Sequence, residues 1–321
     1  MTLTARMRRY AFDGHFTIAR GSRTHVEVVE VAVTRNGVTG FGECVPYARY
    51  GESVESVLAA ITALPEDVSL EALQTLLPEG AARNGVDCAL WDLAAKTAGQ
   101  PVHELLGLPA PEPLTTAFTL SLDTPEAMRA KAAANAARPV LKIKLGTPDD
   151  LPRLRAVREG APKSDLILDA NEGWTPDSYR VLIPQIAELG VKLIEQPLPA
   201  GQDAALRDLP RPVPICADES CHGRATLADL AGKYDVINIK LDKTGGLTEA
   251  LALKAEAERQ GFGIMVGCMA ASSLAMAPAV LVAQGAAFVD LDGPLLLAED
   301  HENGLRYEQS RLIPASPALW G

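Results

Sequence analysis

The sequence lacks several features that mark large classes of proteins. Its 321 residues include 30 basic and 41 acidic side chains, and this net charge of −11 repels phosphate backbones, which argues against a nucleic-acid partner. The N-terminus has no apolar stretch after its basic residues, which argues against a secretory signal. The five cysteines form neither a CxxC metal pattern nor an even set for disulfides. We therefore expect a cytoplasmic protein with reduced thiols.

One segment, residues 261–289, contains no charged side chain and is long enough to span a bilayer. It is rich in Ala, Gly and Ser, has few large aliphatic residues, and includes Pro278 and Gln284. A buried strand, helix and second strand in succession would have the same composition. We favour this buried interpretation and expect no membrane partner, whereas the sequence leaves open whether the chain forms a homo-oligomer.

The first 112 residues mix strand and helix patterns. Residues 26–33 are rich in β-branched side chains and precede the turn signal Asn36-Gly37, which predicts a hairpin or meander. Helical spacing follows, most strongly over residues 81–99, where Gly99 is the stop signal. Three prolines between residues 109 and 113 form a stiff boundary. We predict an α+β capping domain over residues 1–112.

From Thr115 onward, short apolar strands alternate with helices. The strand ends, near residues 142, 169, 195, 218, 240, 267 and 290, are 22 to 27 residues apart, which matches one βα unit each. The absence of a GxGxxG motif and of a P-loop favours a closed barrel over an open doubly wound sheet. The predicted fold is α/β: a modified (β/α)7β TIM-type barrel over residues 113–296. We expect residues 297–321 to pack on the N-terminal cap.

Charged residues end six of these strands, although a barrel strand should be apolar because both of its faces are covered. They are Lys142 and Lys144, Asp169, Glu195, Asp218, Lys240, and Asp290 with Asp292. The carboxyl ends of barrel strands converge on the face that holds active sites. Any one of these charges could belong to a solvated loop, but together they predict an active site.

Three of these residues, Asp169, Glu195 and Asp218, are acids on successive strands and cannot all be ionised side by side without a cation. Oxygen ligands without a nearby His or Cys favour Mg²⁺, with Mn²⁺ as the alternative. A lysine beside that cation would be pushed toward its neutral form and could act as a general base.

Two groups of lysines would face this metal from opposite sides. Lys142 and Lys144 share one side of their strand, and Lys240 comes from the strand four further on, across the barrel. Lysines on opposite sides of one carbon suit removal of a proton on one face and delivery on the other. This arrangement predicts racemisation or epimerisation next to a carboxylate, with the metal holding the enediolate charge.

The sequence resembles the enolase superfamily, in its muconate-lactonizing subgroup, and looks closer still to the L-Ala-D/L-Glu dipeptide epimerases. The motifs that carry the resemblance are Lys-x-Lys at 142–144, LDAN ending at 171, EQPLP at 195–199, ADES at 217–220 and NIKLDKTGG at 238–246. Blocks without chemistry of their own also match, including RGSR at 20–23, PYARYGES at 46–53 and GAARNGVDCALWDLA at 80–94. The resemblance therefore covers nearly the whole chain.

The resemblance implies a role for each residue of the predicted site. Asp169, Glu195 and Asp218 would be metal ligands, and Lys144 and Lys240 would be the two acid/base catalysts. Lys142 would help to hold the charge of the substrate carboxylate. Lys243, three residues past Lys240 and of opposite strand parity, is expected to belong to a loop.

The remaining implied roles concern the substrate. The pair Asp290 and Asp292 would bind a free α-ammonium group, unless Asp292 only shapes the turn before Gly293. Either Arg20 or Arg23 could bind a glutamate side-chain carboxylate from a loop over the barrel mouth. The resemblance places two N-terminal loops over the barrel mouth to set specificity, residues 20–23 and residues 47–53, of which Tyr47 begins the second. Thr119, Cys268 and Met269 are further wall candidates and could equally be core residues. His222 is expected to be a solvated loop residue.

The implied activity is a Mg²⁺-dependent epimerisation of L-Ala-D-Glu or L-Ala-L-Glu dipeptides, within the recycling of murein peptides. Another enzyme of the same subgroup is the alternative: a cycloisomerase, a succinylbenzoate synthase or an N-acylamino acid racemase. A metal-free Schiff-base barrel using Lys144 or Lys240, and a non-catalytic binding barrel, are the remaining hypotheses.

Overall fold

The computed structural model describes residues 2–147 and 150–321, and its N-terminal part is a three-stranded antiparallel sheet with helices. Its elements are β1 (Thr2–Ile18), β2 (Gly21–Arg35), β3 (Val38–Cys44), α1 (Val54–Thr62), α2 (Leu70–Leu76), α3 (Ala81–Ala98) and α4 (Val102–Leu105). Asn36 and Gly37 join β2 to β3, both with positive φ, as a tight hairpin turn requires. The predicted hairpin and helix are confirmed, and β1 adds a strand to them.

Helix α3 packs directly against β3. A Cβ atom on Gly40 would lie 2.2 Å from Ala89 O, and one on Gly42 would lie 2.2 Å from Gly85 O. Only glycine allows such a close approach of helix and strand. The apolar core that forms beneath this contact contains Val31, Val33, Ile61, Leu73 and Leu93, among others.

The barrel strands run parallel and are neighbours in sequence order. After the short strand β4 (Leu114–Thr115) come β5 (Phe118–Leu120), β6 (Val140–Lys144), β7 (Asp165–Asp169), β8 (Val191–Glu195), β9 (Ile215–Ala217), β10 (Val236–Ile239), β11 (Gly263–Gly267) and β12 (Phe288–Asp290). The first and last strands meet where Ala117 N donates to Val289 O at 2.8 Å. The sheet is thus a nearly closed eight-stranded barrel, which confirms the predicted fold class.

Helices follow most of the barrel strands, and all of them except the short, buried α9 lie around the outside of the barrel. They are α5 (Pro125–Ala134), α6 (Asp150–Gly160), α7 (Pro176–Glu188), α8 (Leu227–Leu230), α9 (Leu241–Thr244), α10 (Leu247–Arg259) and α11 (Ser273–Val282). The expectation of a helix after every strand is wrong after β8, where the connection contains only a four-residue 3-10 helix, Ala204–Arg207. Five prolines between residues 197 and 214 explain the difference, because proline interrupts the helical hydrogen-bond pattern.

The uncharged segment 261–289 forms β11, α11 and β12, as the buried interpretation predicts. All ten residues of α11 are buried. Over the described residues, the structure has no helix both long enough and apolar enough to cross a membrane.

The C-terminal residues contact both parts of the molecule. Strands β13 (Tyr307–Glu308) and β14 (Arg311–Leu312) form a small sheet with β4. Farther along, Trp320 Nε1 donates to Cys88 O and Gly321 N donates to Asp92 Oδ1, both on α3. These contacts accord with a segment that packs on the cap, while the exact division at residues 112 and 296 stays a prediction.

Candidate active site

The three predicted acids lie on neighbouring strands at one end of the barrel. In the strand register, Lys144 is opposite Asp169, and Asp169 is opposite Glu195. Asp218 follows β9 directly. All three carboxylates are buried, with relative exposures between 0% and 3%. The structure therefore brings together the acids that the sequence places apart.

The predicted lysines lie among these carboxylates. Lys144 Nζ donates to Asp169 Oδ2 at 2.6 Å, and across the barrel Lys240 Nζ donates to Asp218 Oδ2 at 2.7 Å. Lys142 Nζ lies between them, 2.7 Å from Glu195 Oε2 and 3.2 Å from Asp169 Oδ2. Lys144 and Lys240 thus stand at opposite ends of the row of acids.

Burial and charge pairing oppose each other at these lysines. Burial alone would lower the pKa of Lys142, but Asp290, Glu195 and Asp169 outweigh it and hold this pKa well above its usual value. Burial is likewise outweighed at Lys240, whose pKa is raised by Asp218 and Glu195. The carboxylates by themselves therefore favour the ammonium forms. The neutral base expected from the sequence requires a cation that compensates these carboxylates.

Glu195 is the acid that is least satisfied within the protein. Asn238 Nδ2 donates to its Oε1 at 2.9 Å, whereas its Oε2 has the ion pair with Lys142 Nζ at 2.7 Å but no aligned hydrogen bond from a described residue. Burial raises the pKa of this carboxyl to about 7, with a further contribution from Asp169 that Lys142 opposes. A buried carboxylate oxygen that has a charge partner but no aligned hydrogen bond can also serve as a ligand for a hard cation.

The donor set therefore fits Mg²⁺ in its chemistry, because it consists of oxygens on three adjacent strands. Among the described residues, however, no three His, Cys, Asp or Glu side chains are already grouped around one metal position. Lysine ammonium groups lie between the carboxylates instead, with Lys142 paired to both Asp169 and Glu195.

Lys243 corrects an expectation from strand parity. It lies on α9, is only 1% exposed, and its Nζ is 2.6 Å from Asp218 Oδ1. Parity fails because β10 ends at Ile239 and the chain turns helical, so three residues amount to nearly one turn. Lys243 therefore returns to the same side as Lys240, and together they hold the pKa of Asp218 well below its usual value despite burial.

The two aspartates on the last strand are buried next to the lysine cluster. Asp290 Oδ2 accepts from Lys142 Nζ at 2.7 Å, whereas no described group donates to its Oδ1. Asp292 Oδ2 accepts from Thr119 N at 2.6 Å, and its side chain does not cap the following 3-10 helix. Burial, assisted by Asp290, raises the pKa of Asp292 to about 7. The backbone of Asp292 does take part in the turn, since Leu295 N donates to its carbonyl oxygen at 2.9 Å, but its side chain makes no hydrogen bond within that turn.

A cleft of about 480 Å³ opens above this cluster, between the cap and the barrel. Its floor includes Lys144, Asp218 and Lys240, and its cap side includes Phe16, Ile18 and Val26, together with Arg20, Arg23 and Tyr47. Cys268 and Met269 also line it, as predicted for wall residues. Thr119 contributes differently, since its backbone nitrogen binds Asp292.

The two candidate arginines differ in their partners. Arg20 Nη1 donates to Glu219 Oε1 at 3.0 Å and to Glu172 Oε2 at 3.3 Å, and its Nη2 donates to Tyr47 OH at 3.1 Å. Arg49 makes two further hydrogen bonds to Glu172. These contacts tie both cap loops to the barrel mouth. Arg23 is exposed at the cleft and makes no ion pair within the described part of the chain.

Several residues near the site escaped the sequence analysis. Asn238 shares strand parity with Lys240, which is the signal that could have identified it. Gln196 has φ +37° and accepts hydrogen bonds at its Oε1 from the backbone nitrogens of Asp218 and Ser220.

His222 was expected to be solvated, but its ring packs at 4.7 Å on Tyr50, and burial lowers its pKa.

Comparison with known families accounts for both parts of the chain. The mandelate racemase / muconate lactonizing enzyme N-terminal domain matches residues 2–107, and the enolase C-terminal domain-like family matches residues 126–312. The chain belongs to the mandelate racemase / muconate lactonizing enzyme family of the enolase superfamily.

Two curated members of this family have similar lengths and related activities. An L-Ala-D/L-Glu epimerase from Escherichia coli (strain K12) is 47% identical over 303 residues, covering 92% of this chain and 94% of that protein. An N-acetyl-D-glutamate racemase from Pseudoalteromonas sp. is 45% identical over 300 residues, covering 92% of this chain and 95% of that protein. Both relatives invert a carbon centre.

Solved structures of the family agree closely with this one. An enolase family member from Agrobacterium tumefaciens with homology to dipeptide epimerases, with bound sodium and L-Ala-L-Glu, is 58% identical with a TM-score of 0.98 over 99% of both chains. A dipeptide epimerase from Methylococcus capsulatus, complexed with Mg and L-Arg-D-Lys, is 33% identical with a TM-score of 0.89. It covers 99% of this chain and 98% of that one.

Proposed function

We propose that this protein is a Mg²⁺-dependent dipeptide epimerase that inverts the second residue of L-Ala-D-Glu and L-Ala-L-Glu. The observation that carries the proposal is the placement of Lys144 and Lys240 at opposite ends of one buried row of carboxylates. Support for the substrate comes from the 47% identical relative named L-Ala-D/L-Glu epimerase and from the L-Ala-L-Glu bound in the 58% identical structure.

In this proposal Asp169, Glu195 and Asp218 hold Mg²⁺, and Mn²⁺ is an alternative ion with the same preference for oxygen. The bound ion would supply positive charge that offsets the negative charge of the substrate carboxylate. Magnesium in the family structure from Methylococcus capsulatus supports this assignment.

The chain's own residues carry the proton transfers. One lysine, Lys144 or Lys240, takes the α-proton, and the electrons of the broken carbon–hydrogen bond move into the carboxylate as an enediolate. The opposite lysine then delivers a proton to the other face of the same carbon, and the configuration inverts. Lys142, held by Asp290 and Glu195, is placed to stabilise the carboxylate charge throughout.

The free α-ammonium group of the dipeptide would bind at Asp290 and Asp292. The Oδ1 atom of Asp290 is buried without a hydrogen-bond donor among the described residues, so a cationic donor would satisfy it. We further propose that residues 1–112 form the cap that selects substrates and residues 113–296 the catalytic barrel. The setting we propose is the recycling of murein peptides in the cytoplasm.

Racemisation of an N-acylated amino acid is the second candidate, because the relative that acts on N-acetyl-D-glutamate is 45% identical. Proton NMR of the purified enzyme with Mg²⁺ in D₂O tests both candidates. We expect the α-proton signal of the second residue of L-Ala-L-Glu to disappear, and excess EDTA to prevent this loss. Exchange of N-acetylglutamate without exchange of the dipeptide would refute the dipeptide assignment.

Substitution of Asp292 should change substrate selection. Asp292→Asn can keep the hydrogen bond from Thr119 N but loses its charge. A charge-assisted contact of about 1.5–3 kcal/mol corresponds to a loss of roughly ten- to a hundred-fold in kcat/KM for L-Ala-L-Glu. N-acetyl-L-Ala-L-Glu should improve relative to the free dipeptide. An unaltered ratio between these two substrates would leave the ammonium site without support.

Substitution of the two arginines should separate substrate binding from loop attachment. Because Arg23 is exposed and makes no ion pair with a described residue, we expect Arg23→Met to lower kcat/KM for L-Ala-L-Glu about ten-fold and to spare L-Ala-L-Leu. Arg20→Met is the matched control. It should affect both dipeptides equally, because it releases contacts to Glu172 and Glu219. A glutamate-specific loss in Arg20→Met alone would reverse the assignment.

A further inference from the structure

The segment that carries Lys240 and Lys243 is clamped by the capping domain. Directly after β10 the chain forms α9 and then turns at Gly245 and Gly246, with φ +79° and +111°. The amide nitrogens of Gly245 and Gly246 both donate to Leu241 O, at 2.8 and 3.0 Å. We call residues 240–246 the lysine turn.

Polar side chains of helix α3, which belongs to the cap, contact this lysine turn. Arg83 Nη2 donates to Thr244 O at 2.6 Å and its Nε donates to Gly245 O at 3.2 Å. A Cβ atom at Gly245 would lie 2.3 Å from Arg83 Nε, and one at Gly246 would lie 2.5 Å from Asp87 Cβ. The two glycines are therefore required by the close approach of α3 as well as by their φ angles.

The closest link to the lysine itself is a buried hydrogen bond. Asn84 Nδ2 donates to Asp242 Oδ1 at 2.8 Å, and Val45 N donates to the same oxygen at 2.9 Å. Asp242 is two residues from Lys240, whose Nζ is held at 2.7 Å from Asp218. Asn84 is 2% exposed and Asp242 is 7% exposed, so water cannot readily replace the contact.

We propose that Asn84, on the cap, is a positioning residue for Lys240, acting through Asp242 on the lysine turn. This inference rests on the proposed function, since it concerns the proton transfer at one face of the substrate carbon. In this proposal, the N-terminal motif around residue 84 contributes to catalysis by holding Lys240 in position. Lys144 is the last residue of β6, on the far side of the barrel, so its position does not depend on the contact between Asn84 and Asp242.

The contributions of Lys144 and Lys240 can be measured separately by following deuterium exchange at the α-carbon of each epimer. Abstraction from one epimer depends on Lys240, and the Lys240→Ala variant identifies which one. In Asn84→Ala we expect α-proton loss in D₂O to slow about ten-fold for that epimer and less than about two-fold for the other, because small misplacements of a catalytic group are costly. Asp242→Asn, a smaller perturbation, should shift the ratio in the same direction.

Trp91→Phe is the matched control. It removes another hydrogen bond between α3 and the barrel, from Trp91 Nε1 to Thr248 Oγ1 at 2.9 Å, but outside the lysine turn. We expect an unchanged ratio between the epimers. Amide hydrogen exchange provides a readout that does not depend on activity: residues 243–246 should exchange faster in Asn84→Ala and not in Trp91→Phe.

An equal loss of rate for both epimers in Asn84→Ala would show a merely structural role and overturn the proposal. Unchanged protection of residues 243–246 would also overturn it. Failure of the proposed function has a different signature, because wild-type enzyme would then exchange neither epimer. In that case the amide exchange of Asn84→Ala still decides whether α3 holds the lysine turn.

Discussion

Replacing either Lys144 or Lys240 by alanine should stop epimerisation while leaving proton exchange at one face. Each variant loses the group that serves one side of the substrate carbon, and general acid–base catalysis contributes about 10²- to 10⁴-fold. We therefore expect inversion to fall by about 10²- to 10⁴-fold in both variants. The remaining lysine should still exchange the α-proton of one epimer with deuterium.

The two variants should therefore preserve exchange in opposite epimers. Proton NMR of L-Ala-L-Glu and L-Ala-D-Glu, incubated separately with each variant in D₂O, measures this directly. Lys192→Ala is a suitable control because its side chain is more than half exposed and pairs only weakly with Asp165, at 3.8 Å. If both lysine variants retained exchange of the same epimer, the two-face model would be wrong.

Glu195→Gln should abolish metal binding while the barrel stays folded. The substitution keeps the shape of the side chain and the oxygen that accepts from Asn238, but it removes a negative charge from the proposed metal site. Loss of a buried charge partner costs on the order of 3 kcal/mol, which corresponds to a hundred-fold or greater loss of Mg²⁺ affinity. Turnover should fall at least in proportion.

Titration calorimetry with Mg²⁺ measures the affinity, and circular dichroism confirms the fold. The matched control is Glu43→Gln, another buried carboxyl, which accepts hydrogen bonds from Ser272 N and Oγ at 2.8 and 2.7 Å. Burial raises the pKa of Glu43 to about 8, so this carboxyl is mostly neutral and its replacement should not change Mg²⁺ affinity. Unchanged affinity in Glu195→Gln would remove Glu195 from the metal site.

The barrel could be predicted from the sequence because its strands are short apolar runs at regular spacing, and six of them lead into a charged residue. Four strands, β7, β8, β11 and β12, end at the predicted residues 169, 195, 267 and 290. The irregular connection after β8 could not be read from the regular spacing of strand ends, since that spacing counts residues and not helical turns. Its prolines were the better signal.

The site was predictable where strand geometry alone decides the position of a side chain. Asp169 and Glu195 are adjacent because parallel strands in register place them so. Lys243 could not be placed in this way, because its position depends on where β10 gives way to α9. The choice between Arg20 and Arg23 depends on Glu172 and Glu219, which lie some 150 to 200 residues away in sequence. Pairings over such separations become visible only when the chain is folded.

Gln196 links the two strand ends that carry Glu195 and Asp218. Its side-chain oxygen holds the backbone of Asp218, while its own backbone directly follows Glu195 in a left-handed conformation. The positions of the two carboxylates are therefore not independent. Evolutionary or engineered changes at one should alter the effect of changes at the other, so that substitutions at 195 and 218 combine non-additively. Redesign of this barrel for another ligand would therefore have to vary residues 195, 196 and 218 together.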